Sequence, residues 1–179
     1  QGEPSSPMMW VLFFMPLLVR LRALAAEQRD CAYTLRNGVR ASHLAFADDT
    51  ALLAATAAAL QLLCDVVASF CKLHGLELAA AKTVVVDALT RAPRYVPCAA
   101  LRALRVGTAC VPANNVCTPD DPFKYLGVTL TASLSLEPQL QVLAARARDS
   151  VALLEGRALT VGMVCYLVCG VLWPQLAYA

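Results

Sequence analysis

The chain has 179 residues, of which 59% are hydrophobic and 16% are charged, so it can bury a core but has little charged surface. We expect a domain outside these residues to cover part of the apolar surface. A formal net charge of +2 is compatible with a polyanionic partner, but many unrelated domains have the same balance, so charge alone assigns no function.

The apolar stretches argue against a membrane span and a signal peptide. The two strongest, Met8–Val19 and Val161–Trp173, are each shorter than the ~20 residues needed to cross a bilayer. The chain opens with Gln1 and lacks the basic region of a signal peptide. We therefore expect no membrane partner, and this opening indicates a truncated start.

Eight cysteines raise the question of disulfides or a zinc site, but no Cys-x-x-Cys pair occurs. Cys64 and Cys71 recur at helical spacing, as do Cys165 and Cys169. Small residues recur in this way along a buried helix face. The pattern predicts reduced, buried thiols, as in an intracellular, reducing compartment.

The first predicted element is a helix from Pro7 to about Ala26, with Ser6 as its N-cap. Pro16 removes one backbone donor within it and is expected to bend it. Apolar residues recur along it at helical spacing: Met8, Met9, Leu12, Met15, Val19 and Ala23.

Short β-compatible segments follow this helix. Cys31–Arg36 and Val39–Ala47 are joined by Asn37-Gly38, a strong tight-turn signal. A further strand is predicted over Thr50–Ala54. Together these segments predict two successive hairpins.

A second helix is predicted to begin after Thr56, which can cap it, and to end at Gly75, which provides a left-handed stop. The remaining predicted elements are strands over Thr83–Asp87, Leu104–Val111 and Phe123–Leu130, the last interrupted by Gly127, and helices beginning near Pro138 and Thr160.

Asp48 and Asp49, which follow Phe46 and Ala47 at the tip of the second hairpin, are the sharpest chemical feature. Adjacent carboxylates repel each other, and a divalent cation reverses that cost. Hard oxygen ligands favour Mg²⁺, which a few carboxylates hold and share with substrate phosphates. The turn is a candidate for half of a two-metal phosphoryl-transfer site, although an Asp-Asp pair alone also makes an ordinary exposed turn.

Three other segments accompany this turn. Gln1–Pro7 precedes it, Gly75–Leu78 leads into Lys82-Thr83 behind it, and Phe123–Gly127 follows. In this order and at these distances, the four segments resemble motifs B, C, D and E of non-LTR (LINE-type) retrotransposon reverse transcriptases. The resemblance runs over nearly the whole chain, because the closing residues 171–178 are similar to the thumb of those enzymes.

The resemblance implies roles for residues of motifs B and C. Asp48 matches the metal-binding aspartate of motif C, Asp49 its neighbouring acidic ligand and Phe46 its aromatic residue. Gln1 and Gly2 match motif B residues that lie against the incoming nucleotide and the template base, where a glycine permits close approach.

Motifs D and E imply further site residues. Lys82 matches the motif D lysine, which assists charge neutralisation or protonates the departing pyrophosphate; an ordinary solvated lysine is the alternative. Lys124, Tyr125, Leu126 and Gly127 match the primer grip of motif E, although core packing alone also explains Tyr125 and Leu126.

The chain departs from the family at Glu3, Ser5 and Ala79, where the family has an aspartate, a larger apolar residue and an asparagine. The missing amide at Ala79 puts the positioning of Lys82 in doubt. The family's first catalytic aspartate and its fingers precede motif B. We therefore expect these residues alone to bind magnesium weakly and not to polymerise.

The resemblance implies an α+β fold: a reverse-transcriptase palm, with a small antiparallel sheet backed by helices, over residues 1–133, and the start of a helical thumb over 134–179, with the fingers missing. It implies RNA-directed DNA synthesis in the parent protein, with Mg²⁺ or Mn²⁺ as cofactor. The implied partners are an RNA template, a DNA primer, deoxynucleoside triphosphates, and the fingers and endonuclease regions of the parent. The nucleus and cytoplasm are the expected locations.

Two other hypotheses stay open. The chain could be a decayed or domesticated, non-catalytic reverse-transcriptase-like module that binds nucleic acid; the truncated start favours this, whereas intact Asp48, Asp49 and Lys82 disfavour it. An unrelated domain with a chance Asp-Asp turn would require four ordered motif matches by accident. An aspartate upstream in the same gene would discriminate between the first two.

Overall fold

The structure is a computed structural model that describes residues 5–35, 37–88, 99–133 and 135–174. The described residues divide into two compact units, the first over 5–85 and 99–116 and the second over 86–88 and 117–174. Helices alternate with short two-stranded sheets, so the expected mixture of helix and small sheets is confirmed.

The predicted apolar face of the first helix is wrong, because its residues Met8, Met9, Leu12, Met15 and Val19 are exposed. The helix itself, α1 (Ser6–Glu27), lies where the sequence predicts it. It begins one residue earlier than predicted, because the carbonyl of Ser5 accepts the amide of Met9 at 3.0 Å. No side chain caps this end, so the predicted capping role of Ser6 is wrong. Four side chains at helical spacing are buried along one face: Phe14, Leu17, Leu21 and Leu24.

The length of α1 changes the argument about membranes. The helix has 22 residues and is apolar enough to cross a bilayer by length and composition, so the shortness of Met8–Val19 does not exclude a span. A core helix passes the same test. One face of α1 packs in a cluster with Ala59 and Leu63 of the second helix, while only 28% of its apolar window is buried.

That second helix, α2 (Ala57–Leu73), confirms its prediction at both ends. The hydroxyl of Thr56 accepts the amide of Ala59 at 3.2 Å and caps the start. Gly75 has a φ of +67°, the left-handed conformation that ends helices.

Two antiparallel hairpins join α1 to α2, after a 3-10 turn at Arg29–Cys31. β1 (Tyr33–Thr34) pairs with β2 (Arg40–Ala41), and the predicted turn residue Gly38 has a φ of +82°. β3 (His43–Phe46) pairs with β4 (Asp49–Leu52). Both predicted hairpins are confirmed, but their strands are shorter than predicted. The predicted strand Val39–Ala47 is interrupted at Ser42, and Cys31 lies in the 3-10 turn instead of in a strand.

The rest of the first unit builds a second core cluster against α2. A 3-10 turn (Ala80–Lys82) leads into β5 (Val85–Val86), and α3 (Ala99–Arg102) follows. The next elements are β6 (Arg105–Val106), β7 (Ala109–Cys110), a 3-10 turn (Ala113–Asn115) and β8 (Val116–Cys117). β8 pairs with β5. The predicted single strand over Leu104–Val111 is wrong. Gly107, at a φ of +64°, turns the chain back, so that β6 and β7 form a hairpin.

The second unit consists of a hairpin and helices. β9 (Phe123–Tyr125) pairs antiparallel with β10 (Val128–Leu130), so the predicted interrupted strand is a hairpin. α4 (Glu137–Ala152) and α5 (Val161–Leu167) follow, and α5 continues as a π-helical turn over Val168–Leu172. The hydroxyl of Thr160 caps α5 by accepting the amide of Met163 at 3.3 Å.

The cysteine prediction is confirmed in part. Among the described residues all cysteines are free, and Cys31, Cys64 and Cys71 are buried. Burial, helped by Asp65, raises the pKa of Cys64 to about 11, which makes that thiol inert. Cys165 and Cys169 are exposed, because the helix that carries them buries no residue.

Candidate active site

The acidic turn connects β3 to β4 with two residues, Ala47 and Asp48. Phe46 pairs with Asp49 across the hairpin, so Asp48 is in the turn while Asp49 begins the returning strand. Ala47 has a φ of +51°, whereas Asp48 does not have a positive φ. A positive φ at the first central residue alone is the pattern of a type II′ turn, which matches the twist of a hairpin.

This turn presents both acids to solvent. Asp48 and Asp49 are exposed, and the cross-strand partner Phe46 is 65% exposed. Two exposed carboxylates fit Mg²⁺, which proteins hold through one or two carboxylates together with substrate phosphates. Within the described ranges no group of three or more His, Cys, Asp or Glu side chains is placed to hold a metal.

Trp10 of α1 holds the acidic turn from outside the hairpin. Its indole Nε1–H donates a hydrogen bond of 2.6 Å to the carbonyl of Ala47, 37 residues away in sequence. This carbonyl belongs to the peptide that links Ala47 to Asp48. The helix of motif B is thus bonded directly to the turn of motif C.

An aromatic cluster anchors Trp10. Its ring lies 4.7 Å from that of Phe14 and 5.7 Å from that of Phe13, centroid to centroid. Both phenylalanines contact Phe70 of α2 at 5.6 Å. The indole is therefore fixed to the α1–α2 core, and its rotamer freedom is low before it bonds to the turn.

Asn115 holds the backbone around Lys82. Its side-chain amide donates to the carbonyls of Ala81 at 2.8 Å and of Thr83 at 3.0 Å, one on either side of the lysine. Lys82 ends the 3-10 turn and is exposed. Asn115 thus supplies a side-chain amide beside Lys82. In the described part of the chain no hydrogen bond or ion pair joins Lys82 to the two acids.

Leu126 and Gly127 form the turn of the β9–β10 hairpin, and Lys124 and Tyr125 are the last residues of β9. Leu126 and Gly127 have φ values of +49° and +85°, and two positive φ values in a two-residue loop define a type I′ turn. Lys124 is exposed and Tyr125 is half-buried. The buried side chain of Gln139 accepts the amide of Thr129 at 2.8 Å, which joins this hairpin to α4.

The structure describes some of the predicted site residues and brings three of them together. Gln1 and Gly2 lie outside the described residues. Phe46, Asp48 and Asp49 come together in one hairpin, as predicted. Their roles stay predictions, as do those of Lys82 and of the motif E residues.

Sequence reasoning missed Trp10 and Asn115. Trp10 counted only as part of an apolar helix, and Asn115 fell in a proline-rich region. The available signal for Trp10 was an indole N–H on an apolar helix, because an indole that packs against a core usually finds an acceptor. The identity of that acceptor could not be read from the sequence.

His43 lies at the base of the acidic hairpin, as the first residue of β3. Its Nδ1 is 2.9 Å from the hydroxyl of Ser42, and the ring is half-buried. Burial is the main cause that lowers the pKa of His43 below 6.5, and the positive charge of Arg22 is the smaller cause. The imidazole is therefore neutral at physiological pH.

An exposed pair of acids in a hairpin turn, on a scaffold of helices and small sheets, is compatible with a divalent cation site. A family model described as reverse transcriptase (RNA-dependent DNA polymerase) matches residues 1–130 of the chain. The chain therefore belongs to the reverse transcriptase family, whose members use divalent metals, nucleic acids and nucleotides. No curated protein and no solved structure matches it.

Proposed function

We propose that this chain is the palm and the start of the thumb of a non-LTR retrotransposon reverse transcriptase, with Asp48 as a metal ligand of the polymerase site. The observation that carries the proposal is the acidic two-residue turn, presented to solvent and bonded to the motif B helix through Trp10. Order and spacing of motifs B to E support the non-LTR type.

The reaction is nucleotidyl transfer. The primer 3′-oxygen attacks the α-phosphorus of a deoxynucleoside triphosphate, the bond to the β-phosphate oxygen breaks, and pyrophosphate leaves. Asp48 and Asp49 would hold Mg²⁺ or Mn²⁺, which when bound would supply Lewis-acid activation of the 3′-oxygen and charge neutralisation. Lys82 is the proposed proton donor to the leaving pyrophosphate. Its side chain is exposed, and Asn115 bonds to the carbonyls of the two residues that flank it.

The other predicted site residues complete the proposal. Phe46, exposed beside Asp49, contacts the nucleic acid at the site, and Gln1 and Gly2 contact the nucleotide and template. The type I′ turn at Leu126-Gly127, with Lys124 and Tyr125, supports the primer end. The palm extends over 1–133 and the thumb begins in 134–179.

The activity of the chain by itself is expected to be low. In the family a further catalytic aspartate precedes motif B, and within the described residues Asp48 and Asp49 have no third acidic partner. We propose that these residues alone bind Mg²⁺ weakly and do not polymerise, whereas the parent protein acts on an RNA template and a DNA primer with its fingers and endonuclease regions. The nucleus and cytoplasm are the proposed locations, with no membrane partner.

Primer extension on an RNA template tests the proposal. The protein is this chain extended upstream through the fingers and the first catalytic aspartate, with Asp48→Asn as the site variant. Asp149→Asn, an exposed acid of α4, is the charge-matched control. Extension by the parent and the control, with a loss of at least ~10³-fold in Asp48→Asn, supports the proposal. A folded parent that retains RNA but extends no primer supports instead the non-catalytic binding module.

A further inference from the structure

The Ala47–Asp48 peptide can adopt two orientations in a two-residue hairpin turn. Type I′ and type II′ turns share the positive φ of the first central residue and differ in the φ sign of the second, which amounts to a flip of the central peptide. Here only Ala47 has a positive φ, so the central carbonyl has the type II′ orientation. Because this peptide joins Ala47 to Asp48, a contact that fixes it also restrains the backbone from which the Asp48 side chain projects.

Alanine does not secure that orientation by itself. A positive φ is unfavourable for a residue with a Cβ, and type II′ turns normally have glycine at this place. The exposed hairpin offers few contacts of its own, since Phe46 and Leu44 on β3 are both more than half exposed. The hydrogen bond from Trp10, at 2.6 Å, is a contact from another element that reaches the peptide itself.

We infer that Trp10 is a positioning residue of the polymerase site, whose indole N–H holds the Ala47–Asp48 peptide in the type II′ orientation and so restrains the turn that carries the metal ligand Asp48. The inference deepens the proposed function and rests on it. The aromatic contacts of Trp10 with Phe13 and Phe14 hold the ring, and the N–H alone holds the peptide. A phenylalanine at this position keeps the ring contacts and lacks the donor.

The test uses the full 179-residue chain, labelled with ¹⁵N, in three variants. Trp10→Phe removes the donor, Trp173→Phe removes the other tryptophan as a matched control, and Asp48→Asn removes the metal ligand. Amide spectra report the turn through the signals of Asp48 and Asp49. A Mn²⁺ titration, read from paramagnetic broadening of the same signals, reports metal affinity, and thermal unfolding reports the fold.

We expect Trp10→Phe to shift or split the Asp48 amide signal and to weaken Mn²⁺ binding about three- to tenfold, the loss of one hydrogen bond, with the melting temperature little changed. Trp173→Phe should match the native chain. Native affinity and an unmoved Asp48 signal in Trp10→Phe would overturn the inference while leaving the metal site intact. Equal Mn²⁺ broadening in the native chain and Asp48→Asn would overturn the metal role of Asp48, and with it the positioning role of Trp10.

Discussion

Replacing Asn115 by alanine removes both hydrogen bonds that hold the backbone around Lys82. A hydrogen bond contributes about 0.5–1.5 kcal/mol net, and Asn115 is half-buried, so part of the loss is recovered by water. We expect Asn115→Ala to lower the free energy of unfolding by about 1–2 kcal/mol. Asn115→Asp should cost more, because a carboxylate then faces the carbonyls of Ala81 and Thr83.

Urea unfolding followed by circular dichroism measures both changes. Asn114→Ala is the matched control, because Asn114 is exposed and makes no hydrogen bond through its side chain within the described residues. The reasoning is refuted if Asn115→Ala lies within ~0.5 kcal/mol of Asn114→Ala, the usual range for surface changes. In the longer polymerase, the same variant should lower kcat more than it raises KM, because Lys82 is the proposed proton donor to the leaving group.

Three further changes test other parts of the structure. Leu21→Ala should cost about 2.7–5 kcal/mol in urea unfolding, because Leu21 is 0% exposed, and a cost no larger than that of Val19→Ala, 56% exposed, would contradict the assigned core. Below pH 6.5 the unfolded chain takes up a proton at His43 before the folded chain does, so stability should fall as pH drops from 6.5 towards the lower folded pKa. His43→Gln should show a smaller fall between pH 7.5 and 5.5, measured by urea midpoints, and an unchanged pH dependence would remove His43 as the cause. Leu126→Asn should raise stability by about 0.5–1 kcal/mol, because it relieves a φ of +49° and creates the Asn-Gly pair that type I′ turns prefer; a lower urea midpoint would contradict this.

Capping residues and tight-turn residues predicted the ends of α2 and the first hairpin correctly. Thr56 and Gly75 bracket α2, and Asn37-Gly38 marks the first hairpin, because capping and left-handed turns depend on the residues themselves. The strand predicted over Leu104–Val111 failed at Gly107. A lone glycine within an apolar run does not by itself distinguish a bulge from a turn.

In the candidate site, too, the sequence predicted some features and not others. The acids of the second hairpin could be read from the sequence, since strand patterns flank them. The contacts that hold the site could not, because Trp10 bonds to a carbonyl 37 residues away and Asn115 bonds 32 and 34 residues away. Such pairings arise from tertiary packing, which periodicity and turn chemistry do not encode.

Metal-specificity exchange at Asp48 tests the central claim most directly. In the longer polymerase, Asp48→Cys replaces a hard oxygen ligand by a soft thiolate, which binds Mg²⁺ poorly and accepts Mn²⁺ better. Single-nucleotide insertion should then be lost with Mg²⁺ and partly recovered with Mn²⁺, while Asp149→Cys behaves like the parent with both ions. Full Mg²⁺-dependent insertion by Asp48→Cys would show that Asp48 does not hold the catalytic metal.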